Sequence, residues 1–188
     1  MKHKTIRHIH EPGDIHELTF SCYRQLPLLT EHEPLRLLAE SVDRAVENHR
    51  WRLIAFVFMP DHVHLLVCPT EPEPDVPALL QAIKRPYSFR MKQRLLAQRS
   101  PLIEHLTVQE RPGITRFRFW QEGPGYDRNL STPSAIHASI DYLHRNPVRR
   151  GLCVQAVGWK WSSARRHISP DAPADPDLPA IHRLPDPL

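Results

Sequence analysis

Two apolar segments joined by a tight turn constrain the fold of this chain more than any other feature of its sequence. The first runs from Trp51 to Met59 and is almost continuously apolar, which indicates a buried strand. After a turn at Pro60 and Asp61, the second segment runs from His62 to Cys68 and has the composition of another strand. The two segments together predict a β-hairpin.

Five further elements are predicted from hydrophobic periodicity and helix caps. They are strands over residues 16–23 and 115–121 and helices over residues 33–49, 78–98 and 132–146. Pro86 is expected to kink or break the second helix and Pro147 to end the third. Residues 99–113 are predicted to be irregular, with a turn at 123–125. The order β-α-β-β-α-β, followed by a helix, predicts an α+β, ferredoxin-like (split βαβ) antiparallel sheet with helices on one face and a C-terminal helix in addition.

The length of 188 residues allows one domain with a substantial core but not two large ones. We expect a flexible lead-in at residues 1–15, the main domain at 16–167 and a proline-rich, mobile tail at 168–188. No apolar run approaches the ~18 residues of a membrane span, and the polar N-terminus leads to no signal sequence. The three cysteines lack CxxC spacing and are expected to be reduced thiols. These features predict a cytoplasmic protein.

Positive charge is concentrated in one part of the chain. Residues 76–170 carry 16 basic and 5 acidic side chains, whereas the segments on either side are net acidic. Of the 25 basic residues, 20 are arginine, which binds phosphate through two parallel hydrogen bonds and stacks on bases. The block indicates either a nucleic-acid partner or simply a solvated basic face.

His62 and His64 form the sharpest local pattern. Residues two apart on a strand point to the same side, so both imidazoles can bind one divalent metal. Two surface histidines are the alternative, because an HxH pair is a weak signal in a chain with 13 histidines. The pair gains weight from its position directly after the Met-Pro-Asp turn, where side chains are held rigidly.

Tyr142 and Asn146 lie four residues apart on the last predicted helix and therefore share a face. A tyrosine can act as a covalent nucleophile, and an asparagine carbonyl oxygen can bind a metal. Taken alone, the two residues fit better with a tyrosine that packs in the core and an asparagine that caps the helix. Tyr87 in the basic helix is a second candidate nucleophile or DNA contact, and Tyr126 is placed to support a site or touch a base.

Four segments in a fixed order resemble the REP-associated tyrosine transposases, a branch of the HUH-type single-tyrosine insertion-sequence transposases. They are residues 59–67 (MPDHVHLLV), 119–129 (FWQEGPGYDRN), 140–152 (IDYLHRNPVRRGL) and 159–164 (WKWSSA). The first resembles the HUH signature of that family, and the third resembles its tyrosine helix. The resemblance covers residues 16 to 167 and, by the order of the motifs, is far more specific than any single segment.

The resemblance implies metal-dependent cleavage and transfer of single-stranded DNA through a 5′-phosphotyrosine intermediate, acting on REP-like hairpins in transposition. It implies that His62 and His64 bind the metal, Mg²⁺ or Mn²⁺, and that Tyr142 is the nucleophile. Asn146 falls where related enzymes place a third, amide-type ligand. The implied enzyme is a monomer or homodimer of the bacterial cytoplasm, associated with the nucleoid.

The basic side chains of residues 76–170 would then bind the DNA substrate of such an enzyme. Interleaved aromatic residues are expected partly to stack on bases and partly, for at least two of Phe117, Phe119 and Trp120, to fill the core. The candidate DNA-binding residues are Lys84, Arg85, Arg90, Arg116, Arg118, Tyr126, Arg128, Arg145, Arg149 and Arg150. Two other functions stay open, namely a hairpin-binding protein of the same fold without transposition activity and an unrelated metal-dependent hydrolase.

Overall fold

A computed structural model describes residues 14–123 and 125–184 of the chain. These residues form six strands and five helices, apart from two short 3₁₀ turns. The strands are β1 (Ile15–Ser21), β2 (Trp51–Phe58), β3 (His62–Pro69), β4 (Thr107–Arg111), β5 (Ile114–Phe117) and β6 (Tyr126–Leu130). The helices are α1 (His32–Asn48), α2 (Val76–Ala97), α3 (Leu102–His105), α4 (Pro133–Arg149) and α5 (Ala164–Ile168).

The main sheet has four antiparallel strands in the order β2-β3-β1-β6. The predicted hairpin is present as β2 and β3, and β3 pairs on its other side with β1 so that Thr19 lies opposite His64. The two inner strands are the first and third in sequence among the four, which is the ferredoxin-like arrangement. The predicted fold class is confirmed.

Helices cover both faces of this sheet, and each face has its own apolar cluster. On one face, α1 and α2 pack on strand residues such as Leu18, Phe56 and Leu65. On the opposite face, α4 packs through Ile140 and Leu143 on side chains from the same strands. Alternation along β1 and β3 therefore assigns each residue to one helix layer or the other. We refer to the second face as the α4 side of the sheet.

The fourth strand of the sheet is not the predicted one. Of residues 115–121, the first three belong to β5, which pairs with β4 in a separate two-stranded hairpin, whereas Trp120 forms an isolated bridge with Cys22 just beyond β1. Residues 99–113 contain α3 and β4 and are therefore not irregular. The sheet is completed instead by β6, in the segment that follows the predicted turn. Gly125 permits this placement, because its φ is +77° and a Cβ there would overlap the Thr19 carbonyl oxygen. Alternation in a sequence indicates a strand but does not identify its partner.

Neither helix ends or breaks at its internal proline. The α2 helix continues through Pro86, and α4 continues through Pro147 to Arg149. Pro147 has no N–H to donate to the Leu143 carbonyl, and the Asn146 side-chain amide lies 3.5 Å from that oxygen and 3.0 Å from the Tyr142 carbonyl oxygen. A side-chain donor thus replaces part of the lost backbone hydrogen bonding.

The end of the described chain lies along the outer edge of β2. The His182 amide donates to the Leu53 carbonyl at 2.7 Å, and the Ala180 amide donates to Asp43 Oδ1 at 3.0 Å. The expected domain boundaries stay predictions, and most of the expected lead-in lies outside the described residues. Within the described part of the chain, no helix combines the length and apolar character needed to cross a bilayer.

Candidate active site

The two histidines of the HxH pattern meet on the α4 side of the sheet, at the start of β3. Nε2 of His62 and Nε2 of His64 are 3.0 Å apart, and the ring centroids are separated by 4.8 Å. His64 is 8% exposed, whereas His62 is only partly buried. Both Nε2 atoms therefore approach one point at the edge of the buried layer.

Each imidazole is oriented by a hydrogen bond at Nδ1, the ring nitrogen that faces away from the other histidine. Nδ1 of His62 lies 2.7 Å from Asp61 Oδ1, and a carboxylate can only accept, so this nitrogen carries the proton. Nδ1 of His64 lies 2.8 Å from the Thr19 hydroxyl. When His64 donates to Thr19 in the same way, both Nε2 atoms present lone pairs. Such hydrogen bonds to the far nitrogen are typical of histidines that bind metals.

The donor set of these two residues fits a divalent cation. Two nitrogens bound at about 2.1 Å to one cation lie about 3.0 Å apart when the angle between the bonds is near 90°, as in octahedral coordination. Within residues 14–123 and 125–184, no set of three His, Cys, Asp or Glu side chains is arranged to hold a metal.

Burial and hydrogen bonding shift the pKa values of His64 and Asp61. Burial, helped by the neighbouring His62, lowers the pKa of His64 to about 4. Burial opposes ionisation of Asp61, but hydrogen bonds from His62 and Arg150 outweigh it and hold the pKa of that carboxyl below its usual value. Arg150 Nη2 lies 3.1 Å from Asp61 Oδ2 and so connects the end of α4 to the turn before β3.

Tyr142 lies on the same side of the sheet as the histidine pair. Its ring centroid is 6.4 Å from that of His64 and perpendicular to it. The side chain is 46% exposed, and the Arg149 guanidinium lies 5.0 Å from the ring centroid. The helix therefore presents an accessible phenol, next to a positive charge, beside the two imidazoles.

Asn146, the candidate third ligand, lies one turn further along α4. Its side-chain nitrogen donates to the carbonyls of Tyr142 and Leu143, so the amide folds back on its own helix. In the structure, Asn146 thus serves as a hydrogen-bond donor to backbone carbonyls near Pro147. That Asn146 binds a metal stays a prediction.

The candidate DNA-binding residues divide between several surfaces. Tyr126 and Arg128 on β6 and Arg149 and Arg150 at the end of α4 surround the histidine pair and Tyr142. The other six lie elsewhere: Lys84, Arg85 and Arg90 on α2, Arg116 and Arg118 on or next to β5, and Arg145 beside a cavity of about 600 Å³ on another flank of α4.

Several of these more distant basic side chains are already engaged within the protein. Arg90 binds Glu40 at 2.8 Å, and both Arg116 and Arg118 bind Glu110. Lys84 lies over the Phe20 ring at 4.9 Å, and burial lowers its pKa. The basic block of the sequence is thus not one continuous patch.

Tyr87 is not a candidate nucleophile or DNA contact. It is fully buried, its ring packs on Phe119 and Trp120, and burial raises the pKa of its hydroxyl well above the usual value. Phe119 and Trp120 are buried as well, as expected for at least two of the three neighbouring aromatic residues. Tyr87 lies four residues after Ile83 and four before Met91, so it shares the buried face of α2 with them.

Three residues that contribute to the site were not predicted. Asp61 precedes the histidine pair directly, and its position in the Met-Pro-Asp-His segment is a signal that could have identified it. Thr19 and Glu17 come from β1, 45 and 47 residues before His64, and nothing local marks them. Only the pairing of β1 with β3 places Thr19 opposite His64 and Glu17 in the lining of the cavity beside His64 and Tyr142.

Comparisons with known proteins show three similarities. The family model for IS200-like transposases matches residues 14–110, just over half of the chain. A curated protein of Haemophilus influenzae named "Putative REP-associated tyrosine transposase" is 24% identical over 122 residues, which span 65% of this chain and 64% of that protein. A solved structure of a REP-associated tyrosine transposase bound to a REP hairpin superposes with a TM-score of 0.67 at 18% identity, over 96% of this chain and 92% of the other. This structural likeness supports the fold.

Proposed function

Because this chain belongs to the IS200-like transposase family, we propose that it is a transposase that cleaves and rejoins single-stranded DNA, with Tyr142 as the nucleophile. The observation that carries the proposal is the accessible Tyr142 ring 6.4 Å from the His64 ring. A tyrosine in the interior, or on the other face of the sheet, would be incompatible with this chemistry.

The reaction exchanges one phosphodiester for another. The Tyr142 oxygen attacks the scissile phosphorus, a bond forms between them, and the bond from phosphorus to the 3′-oxygen breaks. The phenol loses one proton, and the departing 3′-oxygen gains one as a hydroxyl. A second 3′-hydroxyl then attacks the 5′-phosphotyrosine and releases Tyr142, so no external energy source is required.

The residues around Tyr142 support this reaction electrostatically. Arg149 places positive charge beside the phenol, which favours the negative charge that develops on its oxygen. Asp61 and Thr19 hold the two imidazoles, so that His62 and His64 would bind Mg²⁺ or Mn²⁺. When bound, the cation would withdraw charge from a phosphate oxygen as a Lewis acid.

We propose single-stranded DNA that folds into hairpins as the substrate. The solved relative with the same fold holds a REP hairpin. Around the site, Tyr126 offers one aromatic surface to a strand that enters it, and Arg128, Arg149 and Arg150 offer three guanidinium groups, of which that of Arg150 also pairs with Asp61.

A covalent trapping experiment tests the proposal. The protein is incubated with a labelled single-stranded hairpin oligonucleotide and Mn²⁺, denatured, and examined for a labelled adduct of the size of the protein. We expect an adduct with wild-type protein and none with Tyr142→Phe. Tyr23→Phe is the matched control, because Tyr23 lies in the short turn after β1 and outside the cavity beside Tyr142.

Each alternative function gives a different result. A hairpin-binding protein without transposition activity retains the oligonucleotide in a native gel but forms no adduct with any variant. A metal-dependent hydrolase cleaves the oligonucleotide without an adduct, and Tyr142→Phe leaves that cleavage intact. Either result would exclude Tyr142 as the nucleophile.

A further inference from the structure

A short segment between α4 and α5, residues 159–164, lies against the outer edge of β2. The Phe58 amide donates to the Trp161 carbonyl at 2.8 Å, and one antiparallel bridge continues this pairing. The indole nitrogen of Trp159 donates to the Phe58 carbonyl at 2.9 Å. The 159–164 segment is therefore fixed to the sheet by both backbone and side-chain hydrogen bonds.

Ser163 is the residue of this segment whose side chain reaches α4. Its buried hydroxyl oxygen accepts from the Phe56 amide at 3.0 Å and lies 2.8 Å from Nε2 of His144, which is buried as well. A hydroxyl can donate one hydrogen bond and accept others, so both contacts are satisfied together. Ser163 thus connects the edge strand of the sheet to the middle of α4.

This contact is the polar connection of α4 to the rest of the fold. Within the described part of the chain, His144 is the one side chain of α4 that hydrogen-bonds to a residue outside the helix and its N-terminal cap. The pair formed by Arg150 and Asp61 lies beyond the last residue of the helix. On its buried face, α4 packs through apolar side chains such as Ile140 and Leu143. Apolar burial has no preferred direction, whereas a hydrogen bond requires a narrow range of distance and angle.

The rotation of α4 about its axis determines where Tyr142 lies. Successive residues of a helix are about 100° apart, so Tyr142 and His144 project from opposite flanks of α4. A group about 6 Å from the helix axis moves by about 1 Å when the helix turns by about 10°. Displacement of a reacting group by about 1 Å can slow a reaction about 100-fold. Loss of the contact at His144 would therefore displace Tyr142 without removing any group from the site.

We propose that Ser163, through His144, holds α4 in the rotation that places Tyr142 beside the histidine pair. Ser163 and His144 are positioning residues, because neither of them lines the cavity beside Tyr142. The 159–164 segment thereby acquires a role in DNA cleavage although it lies on the other flank of the helix. The inference rests on the proposed function, because it concerns the attack by Tyr142.

Two measurements on the full-length protein separate cleavage from DNA binding. Excess protein is mixed with a labelled hairpin oligonucleotide and Mn²⁺, and the rate of adduct formation is measured in a single turnover. The affinity for the same oligonucleotide is measured without divalent metal. For Ser163→Ala and His144→Leu we expect adduct formation to be about 10- to 100-fold slower, with dissociation constants within about twofold of the wild type. His144→Gln should recover most of the rate, because its amide can donate or accept near the position of Nε2.

A matched control and a double variant isolate the hydrogen bond. Ser41 is a buried serine of α1 whose hydroxyl donates to the Leu37 carbonyl at 2.8 Å, on an element that does not carry Tyr142. Ser41→Ala also loses a buried hydroxyl and should retain the wild-type rate. Combining Ser163→Ala with His144→Leu should slow the reaction no further than the slower single variant, because both remove the same bond. A melting curve for each variant shows that it is folded.

A spectroscopic measurement follows Tyr142 without any reaction. The chain has four tyrosines, so labelling with 3-fluorotyrosine gives four fluorine-19 resonances, and Tyr142→Phe identifies one of them. The Tyr142 ring lies 6.4 Å from that of His64, so its resonance depends on the position of the helix. We expect this resonance to shift in Ser163→Ala and in His144→Leu and to stay in place in Ser41→Ala.

The outcomes separate this inference from the proposed function. Wild-type adduct rates in Ser163→Ala and His144→Leu, or rates that fall only as much as the affinity does, overturn the positioning role and leave the nucleophile in place. A rate that falls equally in Ser41→Ala overturns it as well. Absence of adducts with wild-type protein overturns the proposed function. In that case the fluorine-19 resonance of Tyr142 still decides the inference, because an unchanged resonance in both variants would refute it.

Discussion

Replacing Asp61 by asparagine tests whether the two imidazoles are built to hold a cation. Asp61 Oδ1 accepts from His62 Nδ1 at 2.7 Å, and Oδ2 accepts from Arg150 at 3.1 Å. Asparagine retains the shape of the side chain but removes the charge that strengthens both bonds. It can also turn its amide nitrogen toward His62 and so favour the wrong tautomer of the ring.

The magnitude follows from the strength of the bond to His62. A hydrogen bond to a charged group contributes about 1.5–3 kcal/mol, and about 1.4 kcal/mol corresponds to a factor of ten in an equilibrium constant. We therefore expect Asp61→Asn to weaken Mn²⁺ binding by about 10- to 100-fold, the range typical of residues that orient metal-binding histidines.

The assay is a titration of metal-free protein with Mn²⁺, in which free Mn²⁺ is followed by its electron paramagnetic resonance signal. Asp177→Asn is the matched control, because Asp177 also pairs with a histidine, His32 at 2.9 Å, near the tail and outside the candidate site. The control should bind Mn²⁺ as the wild type does. Unchanged affinity in Asp61→Asn, with the fold intact by circular dichroism, would refute the reasoning.

Two predictions concern stability. Tyr87→Phe removes a buried hydroxyl that has no partner among the described residues, so we expect the free energy of unfolding to rise by about 1 kcal/mol in urea denaturation; a decrease would show that the hydroxyl is satisfied. Burial, with a contribution from His167, lowers the pKa of His144 to about 4 from 6.5. Because the unfolded chain then takes up the proton first, stability should fall as the pH drops from about 6.5 to 4, by up to about 3 kcal/mol from this group. Stability measured against pH should be flatter in His144→Leu than in His137→Leu, an exposed control on the same helix, and parallel curves would contradict the assignment.

Elements whose signals are local could be predicted from the amino-acid sequence. The apolar β2–β3 hairpin, the helices α1, α2 and α4 and the position of the HxH pair at the start of β3 could all be predicted, because burial of a periodic apolar face dominates the conformation of such segments. The order of these elements was sufficient for the ferredoxin-like fold.

In contrast, long-range contacts determine which strand completes the sheet and which polar residues meet. Residues 126–130 have a weak strand signal and owe their conformation to pairing with β1, whereas only residues 115–117 of the stronger alternation pair with β4. Thr19 and Glu17 reach the site for the same reason, through strand register, which depends on contacts between residues far apart in the chain. Local periodicity carries no information about such contacts, and so the residues around His64 could be identified only once the sheet was assembled.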